Sequence, residues 1–306
     1  MDCLNVINPS AESWQLLQEK RRCVEAALIE PGRVLVAFSG GVDSTLLAVL
    51  ARRCLGKTNM LAVTADSPSL SRRDLADACA LAIQLDLDHR VIQTREVANP
   101  AYQANTPTRC YYCKHTLFVE LETVAQAHGI PAIVYGAIAD DLLEERPGQQ
   151  AAAQRGVQAP LQDAGLAKWE IRLLARFLDI PNWARPQNAC LSSRVPHGHA
   201  VTEDKLRQIE QAEALLMALG FRQVRVRHAD THARIEVGQD EVERLREPAI
   251  ADRIVRGFHE LGFASIGMSR EGYRAGGADR QGGTEEPLQA DQALGGVAQL
   301  VRAAES

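Results

Sequence analysis

Arg33-Val34-Leu35-Val36-Ala37-Phe38-Ser39-Gly40-Gly41-Val42-Asp43-Ser44-Thr45 runs from an apolar stretch into two glycines and on into Leu46-Leu47-Ala48-Val49-Leu50. The first six residues read as a buried parallel strand, and residues 45–50 open an amphipathic helix. Only a short turn lies between them. Adjacent glycines let a backbone turn sharply and approach a ligand with no Cβ in the way. The helix that follows aims its unpaired N–H groups, and the positive end of its dipole, at the turn. Ser39, Ser44 and Thr45 add hydroxyls. Such a site suits an anion, and pyrophosphate above all.

Outward from this turn, strand and helix alternate. A helix over about 14–30 precedes it. Strands are expected at 60–65, near 89–92 and at 132–136, with helical patterns around Leu75, Ala78, Cys79 and Ala82, from about 114 to 128, and from 168 to 178. This rhythm predicts an α/β fold, a doubly wound parallel sheet with right-handed crossovers. Ligands in such sheets bind at the carboxyl ends of the strands, where the glycine turn already lies. Asp140, Asp141, Glu144 and Glu145 cluster just past the 132–136 strand. An acidic run is ordinarily a solvated loop. Its position also makes Asp140 or Asp141 a candidate Mg²⁺ or substrate contact.

Near Arg185 the rhythm changes. Thr202-Glu203-Asp204-Lys205 reads as a capped helix start, running to about Leu219. Short strands at 223–228 and 233–237, a helix around 240–261 and a last strand near 265–268 complete a smaller C-terminal α+β domain. The expected organisation is therefore a nucleotide domain over 1–184, a substrate and sulfur-transfer domain over 185–275, and a poorly ordered tail over 276–306.

Composition excludes several function classes. Of 306 residues, 46% are apolar and 24% charged, ordinary for a globular protein. No apolar run reaches membrane-spanning length and no secretory signal pattern opens the chain, so a cytoplasmic location and no membrane partner are expected. A net charge of −5 and a pI near 5.9 disfavour nucleic acid as a partner.

The seven cysteines do not follow a disulfide framework, and reduced thiols are left with packing, metal binding or catalysis. Cys23, Cys54 and Cys79 read as filler. Arg109-Cys110-Tyr111-Tyr112-Cys113-Lys114 carries a Cys-x-x-Cys at a helix start, where the helix terminus favours thiolates. Three readings stay open on the residues alone: a zinc site short of its other ligands, a redox pair, or an iron–sulfur site with a ligand from elsewhere. Cys190 lies in Pro186-Gln187-Asn188-Ala189-Cys190-Leu191-Ser192-Ser193-Arg194-Val195-Pro196, a Pro-flanked loop at the domain junction. It is either an inert loop thiol or the third cysteine of that site.

Ser39-Gly40-Gly41-Val42-Asp43-Ser44 resembles the pyrophosphate (PP) loop of the N-type ATP pyrophosphatases, which cleave ATP between its α and β phosphates and adenylate a substrate. Neither a Walker Gly-Lys-Ser/Thr nor a Rossmann Gly-x-Gly-x-x-Gly is present. The resemblance implies an adenine nucleotide α-hydrolase-like domain, ATP held by Ser39, Gly40, Gly41, Asp43, Ser44 and Thr45, and Mg²⁺ at Asp43. Carboxylate and phosphate oxygens suit that cation. The same loop, Asn105-Thr106-Pro107, Arg146-Pro147-Gly148, the Cys190-x-Ser192-Ser193-Arg194 loop and Val224-Arg225-Val226-Arg227 with Ala233-Arg234-Ile235-Glu236 together resemble one family in order and kind. This is the LarE family, the sulfur transferases of nickel-pincer nucleotide biosynthesis. The likeness covers about residues 15–275.

The resemblance implies adenylation of the carboxylates of pyridinium-3,5-biscarboxylic acid mononucleotide and their conversion to thiocarboxylates. It implies a homo-oligomer and leaves the sulfide donor unidentified. Some relatives sacrifice the sulfur of a single cysteine at the Cys190 position. Others hold a [4Fe-4S] cluster on three cysteines, and Cys110, Cys113 and Cys190 match that type. Cys190 and Asp43 are then the expected catalytic residues. Arg225 and Arg227, two apart on one strand face, are expected on the substrate phosphate, with Arg194 and Glu213 near the same pocket. The rival readings are a tRNA thiolase with the same loop, a glutamine-dependent amide synthetase lacking its glutaminase, and a non-catalytic nucleotide or iron–sulfur binding protein. Salt-sensitive tRNA binding would favour the first, and absence of substrate-dependent pyrophosphate release the last.

Overall fold

Four parallel strands form the first sheet of the computed structural model, which describes residues 9–143, 147–273 and 284–288. They are β1 (Val34–Ala37), β2 (Met60–Asp66), β3 (His89–Gln93) and β4 (Ala132–Tyr135), in the spatial order β3-β2-β1-β4. Strand order reverses beside β1, which places the glycine turn at the topological switch point. Helices α1 (Ala11–Ile29), α2 (Val42–Leu55) and α3 (Arg72–Gln84) precede or link these strands. A short α4 (Pro100–Gln103) and the long α5 (Arg109–Ala127) lead to β4. After it come α6 (Pro147–Gln154), α7 (Pro160–Asp163) and α8 (Lys168–Phe177).

Alternation along each strand divides the core in two. Val34, Val36, Met60, Ala62 and Val134 face α1, α2, α3 and α8. Leu35, Leu61, Val63, Ile133 and Tyr135 face Phe118 and Leu121 of α5 and Ala151 of α6. The crossovers β1–α2–β2 and β2–α3–β3 thus lie on one face and the β3-to-β4 crossover on the other, as a doubly wound sheet requires. The expected parallel α/β fold is what the chain adopts.

The second sheet is mixed: β5 (Val224–Ala229), β6 (His232–Val237), β7 (Ser265–Ser269) and β8 (Glu285–Pro287). β5 and β6 form an antiparallel hairpin, β6 and β7 pair in parallel, and β8 runs antiparallel to β7. The helices α9 (Glu203–Ala218) and α10 (Pro248–Glu260) supply Ala212, Leu216, Ile254 and Phe258 to its core. Thr202 caps α9 by accepting from Lys205 N at 3.3 Å, as its sequence signature predicts. The single helix expected over 240–261 is instead a 3₁₀ stretch, Gln239–Arg246, broken from α10 at Pro248, which occupies the first helical turn. Residues 284–288, within the expected tail, include β8; most of that tail lies outside the described residues.

The chain forms two compact units. The division falls after Tyr102, after Pro107 and after Ala189, so residues 103–107 belong with everything from Cys190 onward. Among the described residues no helix is long and apolar enough to cross a membrane.

Candidate active site

In the first unit, the glycine turn is set by its own backbone. Gly40 has φ +71°, and a Cβ there would lie 2.9 Å from Ala78 Cβ on α3. Only glycine meets both demands. Gly41 is the N-cap of α2, and Thr45 N makes the first intrahelical bond, to Gly41 O at 2.9 Å. The N–H groups of residues 42–44 therefore lack a helical acceptor. Ser39 and Ser44 hydroxyls lie 3.1 Å apart, Ser44 Oγ donates to Gly41 O at 3.1 Å, and Ser39 N donates back to Ser44 Oγ at 3.2 Å. Thr45 is fully buried and its hydroxyl donates to Gly41 O at 2.8 Å, so its observed part is to brace the turn. Gly136, just past β4, would bring a Cβ within 2.8 Å of Ser44 N, which explains a glycine where β4 meets α2.

Two residues passed over in the sequence complete this loop. Asn182 donates through Nδ2 to Gly40 O at 2.8 Å and to Thr45 Oγ1 at 3.1 Å, clamping the turn from 137 residues or more away in sequence. Lys168, the first residue of α8, places Nζ 2.7 Å from Asp43 Oδ1 and 2.8 Å from Oδ2. Burial pushes the Asp43 carboxyl up from its ordinary range, and the adjacent Lys168 charge opposes that rise. A lysine at a helix start far downstream carries no local signal of such a role. The acidic run acts as scaffold here: Asp140 Oδ2 accepts from Lys168 N at 2.8 Å, and Asp141 Oδ2 from Ile138 N at 3.1 Å. Glu144, Glu145 and Arg146 lie outside the described residues.

Cys110 and Cys113 occupy the first turns of α5, one exposed and one half-buried. Three residues apart, they share a helix face. Gly148 of α6 packs 3.0 Å, as measured from an added Cβ, from Lys114 Cγ beside them. Tyr111 donates to Gln154 at 2.7 Å, fixing α5 on α6.

In the second unit, Cys190 is the exposed N-cap of a 3₁₀ turn, Leu191–Arg194. The turn is bolted down by charge. Arg194, 2% exposed, forms a two-point pair with Glu213 of α9, Nε to Oε1 at 2.9 Å and Nη2 to Oε2 at 3.1 Å. Its Nη1 donates to Cys190 O at 2.8 Å. Glu213 Oε1 also accepts from Val226 N at 3.0 Å, on the outer edge of β5. Arg227 donates to Ser193 O at 2.9 Å and pairs with Glu236 at 3.0 Å. Arg225 donates to Val224 O at 2.7 Å and lies 5.0 Å over the Tyr273 ring. Burial, and then the nearby Arg194 charge, lower its pKa. Arg194, Glu213, Arg225 and Arg227 are thus gathered around the Cys190 turn. The first two are engaged with each other inside the protein. Asn105, at φ +51° and fully buried, donates to the carbonyls of Val195, Pro196 and His199 at 3.2, 2.8 and 2.9 Å, holding the chain just after that turn.

Among the described residues no group of three or more His, Cys, Asp and Glu is gathered as a metal site. The pair on α5 belongs to the first unit and Cys190 to the second.

Comparison with known proteins gives a consistent picture. Residues 21–117 match the NAD synthase family model. An uncharacterized protein of Synechocystis sp. is 40% identical over 265 residues, 87% of this chain and 98% of that one. Pyridinium-3,5-bisthiocarboxylic acid mononucleotide synthase of Lactiplantibacillus plantarum is 34% identical over 260 residues, 85% of this chain and 94% of that protein. One component of the glutamine-hydrolyzing GMP synthase of Methanococcus maripaludis is 30% identical over 165 residues, 50% of this chain and 52% of its own length.

Proposed function

The chain belongs to the LarE family, that of pyridinium-3,5-bisthiocarboxylic acid mononucleotide synthase, and from that premise we propose that it is an ATP-dependent sulfur transferase converting the two carboxylates of pyridinium-3,5-biscarboxylic acid mononucleotide to thiocarboxylates. The observation that carries this reading is the phosphate turn: Gly40 at φ +71° ahead of the α2 N-terminus, with Asp43 in the first helical turn. A carboxylate is a poor acyl donor until one oxygen is made a leaving group. Its oxygen attacks the α-phosphorus, the α–β bridging bond breaks, and pyrophosphate departs with the electron pair. The acyl-adenylate then loses AMP to a sulfur nucleophile. Residues 39–44 hold the phosphates through backbone N–H groups and hydroxyls. Asp43 offers the carboxylate oxygens that suit Mg²⁺.

Arg225 and Arg227 lie on one face of β5, beside the Cys190 turn, and guanidinium forks suit the phosphate of the substrate. Arg194 and Glu213 position that turn. Cys110, Cys113 and Cys190 are thiols, as a [4Fe-4S] cluster requires, and they are the residues that would hold one; three ligands leave one iron open. When bound, such a cluster supplies a sulfide that is not drawn from the protein. A cytoplasmic homo-oligomer accords with the family. The test is to supply Mg·ATP and the pyridinium mononucleotide to anaerobically purified protein. Equal release of AMP and pyrophosphate, with a mass gain of 16 Da per exchanged oxygen on the substrate, is the expected result. Substrate-independent ATP turnover, or none, defeats the reading. Iron and acid-labile sulfide at about four each per chain, lost in Cys110→Ala, marks the cluster route; dehydroalanine at position 190 marks the sacrificial one.

A further inference from the structure

Among the described residues, the Asp43–Lys168 pair is a contact at the phosphate turn that the packing of α8 does not require. α8 is already fixed by Ile171, Leu174 and Ala175, all fully buried in the same core as α2. The Lys168 backbone is fixed separately, through its N–H to Asp140 Oδ2 at 2.8 Å. The side chain beyond it is a flexible four-carbon stem, and both partners of the pair are about a quarter exposed. A partly exposed ion pair adds little to stability. What it does change is the charge of the turn. Asp43 projects a carboxylate at the N-terminus of a 14-residue helix, where an incoming polyphosphate must also sit. Uncompensated, that carboxylate repels the ligand the turn is shaped to hold. Arg172, a second cation whose charge is felt at Asp43, donates to Arg185 O at 3.0 Å.

We propose that Lys168 is a catalytic residue: its ammonium rests on Asp43 in the nucleotide-free protein and moves onto the triphosphate when ATP binds, stabilising the departing pyrophosphate. This rests on the adenylating reading above. The anchored backbone and mobile head supply the required motion, since a swing of the stem transfers the charge without moving α8. No proton changes hands. The ammonium stays charged, Asp43 is released to another cation, and the electron pair of the broken P–O bond leaves on an oxygen that Lys168 reaches.

The experiment measures binding of α,β-methylene-ATP and of AMP, both with Mg²⁺, to wild type, Lys168→Met, Asp43→Asn and the double variant. Thermal unfolding and far-UV circular dichroism serve as folding controls. Lys168→Met is expected to weaken α,β-methylene-ATP binding at least tenfold and AMP binding less than twofold, with the same tenfold loss in the Asp43→Asn background. Lys168→Arg should recover part of it. A double variant that binds α,β-methylene-ATP as Asp43→Asn does would reduce Lys168 to a counter-ion and overturn the proposal. So would equal losses for the analogue and for AMP. Should Lys168→Met fail to fold, Lys168→Gln carries the same comparison. Binding of the analogue does not need the pyridinium substrate. A wild type that binds it through Lys168 yet releases no pyrophosphate with that substrate would therefore defeat the sulfur-transferase reading and leave Lys168 in place.

Discussion

The phosphate turn and the Cys190 turn are built by opposite means. At residues 39–45 the shape comes from backbone conformation and neutral groups, with one glycine in the left-handed region, Gly41 O satisfied by Ser44 and Thr45, and Gly40 O by the amide of Asn182. At residues 190–194 the shape comes from buried charge: a guanidinium, a carboxylate and an edge-strand N–H drawn from three separate elements. The first arrangement costs the extra chain entropy of glycine and leaves N–H groups without helical acceptors. The second costs desolvation and leaves a thiol exposed on a rigid mount. An anion is best met by open dipoles, whereas the buried charges at the second turn fix the position of an exposed thiol.

The contrast can be broken most severely on its charged side. Arg194→Ala leaves Glu213 buried without its partner, at a cost of about 3–5 kcal/mol. Urea unfolding of the second unit, followed by hydrogen exchange in α9 and β5, should register that loss while α2 keeps its protection. A uniform loss across both units would remove the distinction. Acid offers a second, somewhat smaller handle on the same unit. Burial, and then the Lys205 charge, push His228 down to about 4, and it sits 1% exposed against Phe263. Its folded pKa lies below the ordinary 6.5, so the unfolded chain binds the extra proton. Stability should fall as pH drops from 6.5 towards 4, by at most about 3 kcal/mol. His228→Leu should flatten that part of the unfolding profile relative to wild type; an unchanged slope would assign it to other groups.

The smallest stability effect is expected on the neutral side. Gly40→Ala puts a Cβ against Ala78 in a left-handed conformation, which should cost roughly 1–3 kcal/mol. On the proposed reading Gly40 lies against the phosphates, so pyrophosphate release should drop by at least about a hundredfold. If release falls only in proportion to the folded fraction, the turn's conformation is not what binds the phosphates.

This difference in construction also explains what was legible in the sequence. The parallel sheet and the phosphate turn declared themselves because their causes are local: apolar runs of strand length, two glycines, a helix start. The α9 cap was legible for the same reason. Asn182 and Lys168 were not, because each acts on the turn from more than a hundred residues away, and a lone Asn before a Trp or a Lys opening a helix has many ordinary explanations. Arg194 and Glu213 were picked out through resemblance, but their pairing was not, since nothing in a spacing of 19 residues predicts a buried two-point contact. The break before Pro248 was readable from the proline alone, and was smoothed over by a helical pattern on both sides.

Asn105 has a practical corollary for anyone dividing this protein. It belongs by contact to the second unit, although it is encoded in the middle of the first. A fragment cut to begin at residue 190 would carry Cys190 and its arginines but not the amide that satisfies Val195, Pro196 and His199. The matching fragment ending at residue 189 would carry Asn105 without these three carbonyls. Neither fragment alone therefore keeps all of the contacts within the second unit.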